Sequence, residues 1–332
     1  MICLRLFSRM TQCDILSAMI RYPNPHKSAA GFVLAAVSVF IWGITFVCTK
    51  TLLSDFSSLE ILFFRFLAAY IFLWIICPRR GRIAAKDNIY FAAAGLTGVL
   101  LYQFLENIAI SYTAASNVSI IVSICPMFTA LTARIFLHEK HITPQFVAGF
   151  AVAVAGVALV SLNGSRELHL NPKGDFLALG SAVCWGFYSL FVSVLNTRNY
   201  EPVCCTRRIF FFAVVLMIPL VIAGSSADAS PAFRFSLDFA VNRARFAKPL
   251  NAVCLLFLGV MASGFCFVAW NKACSCLGTV RVSVGLYLIP VVTVVAAYFV
   301  LGEKITPAGL AGAFLTVAGL FLSNIKRRKS VG

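Results

Sequence analysis

Charged residues, and acidic ones in particular, are scarce in this chain. Only 12% of the 332 residues are charged, with 12 Asp and Glu against 28 Lys and Arg, while 60% are hydrophobic. Soluble domains are charged at about a quarter of their positions, so this composition argues against a water-soluble fold. The mean hydropathy of +0.90 indicates a chain that lies largely within a bilayer.

The sequence also lacks several motifs of enzyme sites. It contains neither a His-Glu-x-x-His zinc motif nor the glycine-rich phosphate loop that ends in Gly-Lys-Ser or Gly-Lys-Thr. The histidines fall in predicted tails or loops: His26, His138, His141 and His169. We therefore expect no catalytic residue and no cofactor, and an intramembrane enzyme is retained only as an alternative.

Neither the cysteines nor the excess of basic residues indicates a metal site or a nucleic-acid surface. Most cysteines lie inside apolar stretches, where a free Cys behaves as a small hydrophobe. The adjacent Cys204 and Cys205 have no partner at metal-ligand spacing. The net charge of +16 comes mostly from residues between apolar segments rather than on one basic face. We expect no bound metal and no nucleic-acid partner.

Ten apolar segments follow one another along the chain, and most have about the 20 residues that a helix needs to cross a bilayer. They span 31–53, 59–77, 89–110, 114–136, 144–162, 174–195, 204–223, 250–271, 278–301 and 307–324. An open sheet cannot satisfy its backbone in lipid, so we predict an all-α polytopic membrane protein with ten transmembrane helices. The long polar loop 224–248 is expected to pack on the outer face or to be partly disordered.

The distribution of Lys and Arg predicts the orientation of these helices. If the N-terminus is inside, the inner segments hold twice as many basic residues as the outer ones, as the positive-inside rule requires. Both basic tails, 1–30 and 325–332, are then cytoplasmic. We expect an integral protein of a bacterial inner (plasma) membrane.

The two halves of the chain resemble each other. Trp42-Gly43 and Arg65 recur 143 residues later as Trp185-Gly186 and Arg208. Further along the chain the offset becomes 164 residues: Asn107, Ser119 and Pro126 recur as Asn271, Ser283 and Pro290. The extra length of loop 224–248 accounts for the change in offset. This pattern indicates a duplicated unit, with repeats at 31–163 and 173–324.

Each repeat has five predicted helices, an odd number, so the second copy must be inverted relative to the first. Inverted repeats are typical of secondary transporters, which bind their substrate at the repeat interface near the membrane midplane. Solute movement by alternating access is therefore the favoured function. A membrane receptor or scaffold with no transport activity is the other alternative.

An ordered set of residues carries a resemblance to a known family. It comprises Phe40-Ile41-Trp42-Gly43, Glu60 with Arg65, Glu106-Asn107-Ile108-Ala109, Tyr112-Thr113-Ala114-Ala115-Ser116-Asn117, and Pro126 ahead of Glu139-Lys140. In this set the chain resembles the drug/metabolite transporter superfamily, specifically its EamA-type ten-helix members, over residues 31–324. The resemblance implies efflux of metabolites, amino acids or drug-like solutes. Val203 replaces the acidic residue that would match Glu60, so a symmetric acidic pair is missing.

Ionisable residues at membrane depth are the candidates for function, because burying them there is costly. Glu106 shares one helical face with Gln103 and Asn107. Two hypotheses for Glu106 stay open: proton exchange during transport, or pairing with an arginine that holds helices together. Arg65 and Arg208 are expected to have gating or structural roles. Arg281 either meets an anionic substrate group or snorkels to the inner surface.

Aromatic and hydroxyl side chains on the first helix of each repeat predict a solute cavity. The candidate lining residues are Trp42, Thr45, Gln103, Glu106, Asn107, Asn117, Ser119, Trp185, Tyr188, Asn271, Ser283 and Tyr287. Trp270, in contrast, is expected in the interfacial aromatic belt. Pro126 and Pro290 are predicted to lie in the middle of helices and to act as hinges.

Small residues in the fifth and tenth segments, Gly149, Gly156, Gly312 and Gly319, should let helices approach closely. They predict a packing scaffold, and a homodimer interface at this place stays open. The expected partners are a small-molecule substrate, the lipid bilayer, and a proton or counter-solute that supplies the energy.

Overall fold

The computed structural model describes residues 25–324 apart from 79–80, 82, 113–114, 140, 162–170, 227 and 302–306. Every regular element in these residues is helical. The α-helices are α1 Pro25–Leu52, α2 Ser58–Ile76, α3 Asn88–Ala94, α4 Tyr102–Tyr112, α5 Ala115–Val122, α6 Cys125–Phe136, α7 Pro144–Ser161, α8 Pro172–Asn196, α9 Pro202–Gly224, α10 Phe239–Phe246, α11 Pro249–Leu256, α12 Cys266–Leu277, α13 Thr279–Ser283, α14 Ile289–Leu301 and α15 Pro307–Asn324. The tails predicted at 1–30 and 325–332 lie outside the described residues except for 25–30, which open α1.

Within the described residues, six helices are long and apolar enough to cross a membrane. They are Ala29–Leu52, Ser58–Ile76, Ala85–Tyr112, Pro172–Asn196, Pro202–Gly224 and Pro249–Leu277. Four shorter apolar helices lie at Cys125–Phe136, Pro144–Gly156, Thr279–Thr293 and Leu310–Ser323. The chain is therefore an all-α polytopic membrane protein.

Two of the predicted segments are interrupted in the structure. Segment 114–136 is divided between α5 and α6, and segment 278–301 contains the 3-10 turn Val284–Leu288. Pro126 and Pro290 are each the second residue of the helix that follows the interruption. The prediction that they lie mid-helix was wrong. A proline is tolerated in the first turn because the N–H that it lacks would have no intrahelical acceptor there.

Two of the long helices contain π-helical segments at equivalent places in the repeats. Gly95–Leu101 joins α3 to α4, and Phe257–Phe265 joins α11 to α12. Adding the sequence offset of 164 residues to 95–101 gives 259–265, which lies within the second π-helical segment. Because π-helix is found in well under 1% of residues, its recurrence at this offset is a structural counterpart of the sequence repeat.

Helices α7 and α15 pack at close range through glycines. A Cβ atom added to Gly149 would lie 2.7 Å from the carbonyl oxygen of Gly319, and one added to Gly156 would lie 2.7 Å from that of Gly312. This backbone contact agrees with the packing scaffold predicted from the four glycines, and it occurs within a single chain.

The loop after α9 packs back onto the start of α2. Glu60 forms a capping box with Ser57 at the N-terminus of α2, and the same carboxylate binds Arg245 on the loop helix α10. Arg245 Nη1 lies 3.0 Å from Glu60 Oε2, and Nη2 lies 2.9 Å from Oε1. The backbone N–H of Ser236 donates to Glu60 Oε1 over 3.0 Å. The described part of loop 224–248 is therefore packed against the helices, which was one of the two expectations from the sequence.

A second ion pair closes the end of this loop. Lys248 Nζ lies 2.6 Å from Asp55 Oδ1, and Asn251 Nδ2 donates to the other carboxylate oxygen over 2.9 Å. These hydrogen bonds from Lys248 and Asn251 hold the pKa of the Asp55 carboxyl below its ordinary value. The contact is thus formed at neutral pH and is lost only as the pH falls through that lowered pKa.

Replacing Arg245 with Ala is expected to release the loop. The Glu60 carboxylate is only 2% exposed, and removing one partner of a buried ion pair costs about 3–5 kcal/mol. Amide hydrogen exchange in residues 232–246 should therefore be faster by about tenfold or more. Arg243→Ala is the matched control, because Arg243 is an exposed arginine on the same short helix. Equal exchange in the two variants would show that the ion pair does not hold the loop.

Candidate functional site

A narrow internal cavity lies between helices of the two halves of the chain. The space left between its walls, including its opening, is about 470 Å³. The lining residues are Trp42, Thr45, Phe46, Arg65, Tyr102, Gln103, Glu106, Ser119, Val122, Ser123, Trp185, Phe267, Leu286 and Ile289. They combine one basic and one acidic side chain with hydroxyls, an amide and large aromatic rings.

The two repeat-related tryptophans meet at this cavity. The ring centroids of Trp42, on α1, and Trp185, on α8, are 5.6 Å apart, with ring planes at 90°. Trp42 Nε1 donates to the carbonyl of Ala262 over 2.8 Å. Trp185 Nε1 is buried and has no hydrogen-bond partner among the described residues. A buried donor without a partner is costly, so this indole N–H is an exception to be noted beside the cavity.

Trp270 belongs to this aromatic cluster rather than to an interfacial belt. Its side chain is 1% exposed, and its ring centroid lies 4.9 Å from that of Trp42. The expectation of a belt residue was therefore wrong. Position near the end of an apolar segment predicted the belt, but helix α12 continues to Leu277 and turns Trp270 towards α1.

The polar part of the wall is built around Arg65, on α2. Its Nη1 donates to Gln103 Oε1 over 2.6 Å, and its Nε donates to Ser263 Oγ over 2.5 Å. Glu106 lies one turn beyond Gln103 on α4, accepts a hydrogen bond from the Tyr102 hydroxyl and interacts electrostatically with Arg65. Arg65 is 2% exposed and Glu106 is 5% exposed. The cavity thus holds one basic and one acidic side chain, both buried, in a medium where charge interactions are strong.

The structure brings together half of the predicted cavity residues. Trp42, Thr45, Gln103, Glu106, Ser119 and Trp185 line the space. Asn107, Tyr188, Asn271, Ser283 and Tyr287 do not, although each is buried. Asn117 lies in α5, and its side chain is outside the described residues.

Tyr188 and Asn271 form a separate polar cluster. The Tyr188 hydroxyl donates to Asn271 Oδ1 over 2.8 Å, and Asn271 Nδ2 donates to Thr206 Oγ1 over 3.1 Å. Asn107, the repeat counterpart of Asn271, instead donates to the Ser58 carbonyl over 3.3 Å. Both amides thus hydrogen-bond buried groups between helices, although Asn107 Oδ1 has no partner among the described residues.

The other two candidate arginines lie away from the cavity. Arg208, the repeat counterpart of Arg65, is half-buried and donates to Asn88 Oδ1 from Nε and Nη2 over 3.2 and 3.1 Å. Arg281 is exposed, whereas its neighbour Ser283 is buried. Equivalence in sequence predicted one role for Arg65 and Arg208, but the structure gives them different surroundings.

Several cavity residues were missed from the sequence, and two signals could have found them. Phe267 is the repeat counterpart of Gln103, and Leu286 is that of Val122, both at the offset of 164 residues. Tyr102 is four residues before Glu106 on the same helical face. Extending the repeat alignment and the helical periodicity to apolar side chains identifies all three.

The chain matches one family model and several known proteins over most of its length. The model of the EamA-like transporter family matches residues 29–162 and again 172–325. A probable terminal-alkyne amino-acid exporter of Streptantibioticus cattleyicolor is 28% identical over 300 residues, which cover 89% of this chain and 93% of that protein. A probable amino-acid metabolite efflux pump of Escherichia coli (strain K12) is 24% identical over 305 residues, which cover 90% of this chain and 97% of that protein.

The fold is also found among solved structures. One crystal structure superposes with a TM-score of 0.67 at 15% sequence identity, and the match covers 91% of this chain and 97% of the other. At that identity the likeness concerns the fold alone. Two family matches that together span almost the whole chain are decisive: the chain belongs to the EamA-like transporter family.

Proposed function

We propose that this protein is a secondary-active transporter that exports small zwitterionic solutes of the amino-acid type by alternating access. The observation that supports this most directly is the presence of both Arg65 and Glu106 in one narrow cavity with aromatic walls. A guanidinium recognises a carboxylate through charge-assisted hydrogen bonds, and a carboxylate recognises an ammonium group. A solute that carries both groups satisfies both sides of the cavity.

The aromatic wall favours solutes with an apolar body. Trp42, Trp185 and Phe267 offer ring faces and edges beside the charged pair. The two curated relatives named as an amino-acid exporter and an amino-acid metabolite efflux pump are in keeping with such a substrate. Metabolites and drug-like solutes with the same charge pattern belong to the proposed substrate range.

The proposed transport cycle uses the two repeats as inverted halves. Ten membrane crossings, five in each repeat, would place the second copy upside down and leave a shared cavity that opens to either side in turn. The distribution of basic residues favours cytoplasmic termini, and the bacterial origin of the two curated relatives is in keeping with a bacterial inner membrane. The interruptions before Pro126 and Pro290 are proposed as the hinges of this motion.

Glu106 is the proposed site of energy coupling. We expect Glu106→Gln to abolish uptake driven by a pH gradient, because an amide cannot exchange a proton. The measurement is uptake of a radiolabelled amino-acid panel into proteoliposomes, with and without the gradient. Glu139→Gln is the matched control, since Glu139 is a surface carboxylate bound to His141 over 2.7 Å.

The same assay separates the candidate roles of Glu106 and the alternative functions. Retained solute exchange with loss of gradient-driven uptake assigns proton coupling. Loss of both at wild-type thermal stability assigns binding of the substrate ammonium, whereas loss of both with lowered stability assigns pairing with Arg65 that holds helices together. Unchanged uptake in Glu106→Gln contradicts both roles. Binding without uptake into wild-type proteoliposomes would favour a receptor or scaffold.

A further inference from the structure

A cluster of metal-ligating side chains lies apart from the cavity, where the end of α2 meets the start of α9. Cys77 follows α2 directly, Glu201 is the N-cap residue of α9, and Cys204 lies in the first turn of α9. The two sulfur atoms and a carboxylate oxygen of Glu201 all lie within 4.8 Å of one another. Cys204 had no ligand partner at close sequence spacing, but the fold brings Cys77 to it from the other repeat.

Arg207 fixes the geometry of this cluster. Its Nη1 donates a short hydrogen bond to the Cys77 carbonyl, and its Nη2 lies 3.6 Å from Cys204 Sγ. Its guanidinium stacks on Trp74, 3.9 Å from the ring centroid. One arginine on α9 therefore holds both cysteines and is itself held by α2.

The carboxylate and the backbone add to the same arrangement. Glu201 Oε2 accepts the backbone N–H of Cys204 over 2.7 Å. Burial raises the pKa of Glu201, but the hydrogen bonds that it accepts from Cys204 outweigh burial and hold the pKa below its ordinary value. A Cβ atom on Gly81 would lie 3.0 Å from Cys204 Sγ. Glycine thus lets the chain after Cys77 approach the thiol.

Both distance and charge suit a divalent metal. Zinc binds thiolates at about 2.3 Å in tetrahedral geometry, which separates two bound sulfur atoms by about 3.8 Å. The two sulfur atoms, which lie within 4.8 Å of each other, therefore need to approach by at most about 1 Å to bind one zinc ion. Two thiolates and one carboxylate carry three negative charges, which a divalent cation and Arg207 neutralise together. An N–H group near a ligating sulfur is a common outer partner in such sites.

We propose that Cys77, Glu201 and Cys204 form a binding site for Zn²⁺ or a similar thiophilic divalent cation, with water as the fourth ligand. Helices α2 and α9 are equivalent members of the two repeats. A bound ion therefore joins the repeats at one membrane face. Binding itself is independent of the proposed transport function, and only its effect on solute movement rests on that function.

The test is a titration of the reduced, purified protein with Cd²⁺, followed by the charge-transfer absorbance of cadmium–thiolate bonds and by competition with Zn²⁺. One equivalent should bind in the wild type. In Cys77→Ser and Cys204→Ser the affinity should fall by more than about 100-fold, beyond the loss typical of outer-partner variants. Cys205→Ser is the matched control, because Cys205 is a neighbouring cysteine outside the cluster.

X-ray absorption at the zinc edge gives a readout that needs no variant. Zinc-loaded wild-type protein should show two sulfur ligands together with oxygen ligands. A zinc environment without sulfur overturns the proposal. So does equal cadmium absorbance in wild type, Cys77→Ser and Cys204→Ser, or the absence of binding at micromolar metal.

Discussion

Replacing Arg65 with Gln is expected to weaken substrate binding by about 100-fold and to impair transport accordingly, while the same change at Arg208 preserves binding. Arg65 is the cation of the cavity, and its loss removes the partner of a substrate carboxylate and leaves Glu106 without its opposite charge. A charge-assisted hydrogen bond contributes up to about 3 kcal/mol, which is roughly a 100-fold loss of affinity. Arg208 binds Asn88 and lies outside the cavity.

The measurement uses the tryptophans that line the site. Quenching of intrinsic fluorescence by a bound solute reports occupancy next to Trp42 and Trp185, and uptake into proteoliposomes reports transport. Equal defects in Arg65→Gln and Arg208→Gln would contradict a special role for Arg65 and favour the shared gating role that repeat equivalence predicts. Normal binding in Arg65→Gln would remove the carboxylate contact from the proposal.

Replacing Gly156 with Leu is expected to disrupt the packing of α7 against α15. A Cβ atom at this position already meets the backbone N–H and side chain of Thr316 and the carbonyl oxygen of Gly312. Overpacking against backbone atoms should cost about 3 kcal/mol, the upper part of the usual range. Because backbone cannot move aside as a side chain can, the two helices must separate.

Thermal stability in detergent is the appropriate measurement for this change. The midpoint of aggregation, followed by size-exclusion chromatography after heating, should fall in Gly156→Leu. Ala155→Leu is the matched control, because Ala155 is the preceding residue and is exposed on α7. If both variants retain wild-type stability, the close contact of α7 and α15 does not contribute to the fold.

Sequence patterns predicted the helical class, the family and the core of the site. Long apolar segments require helices in lipid, and ionisable residues inside them identified Arg65 and Glu106. Trp42 and Trp185 emerged from the comparison of the two halves. These signals work because membrane burial makes every polar side chain costly, so that each one present is informative.

The remaining features depend on contacts between distant segments. Arg65 and Arg208 match in sequence, yet one meets Gln103 and Ser263 while the other meets Asn88. The approach of Cys77 to Cys204 joins two repeats, and no local spacing encodes it. Trp270 was wrongly predicted in the interfacial belt because its position near the end of an apolar segment does not reveal which helix packs against it.

The π-helical segments are a feature of both halves of the chain rather than of one. A π turn closes its hydrogen bond over one more residue than an α turn, and such turns are frequent at functional sites. Gly95–Leu101 and Phe257–Phe265 occupy matching positions in the two halves. The same departure from α-helical hydrogen bonding thus stands in both halves, directly before the residues Gln103, Glu106 and Phe267 that line the cavity.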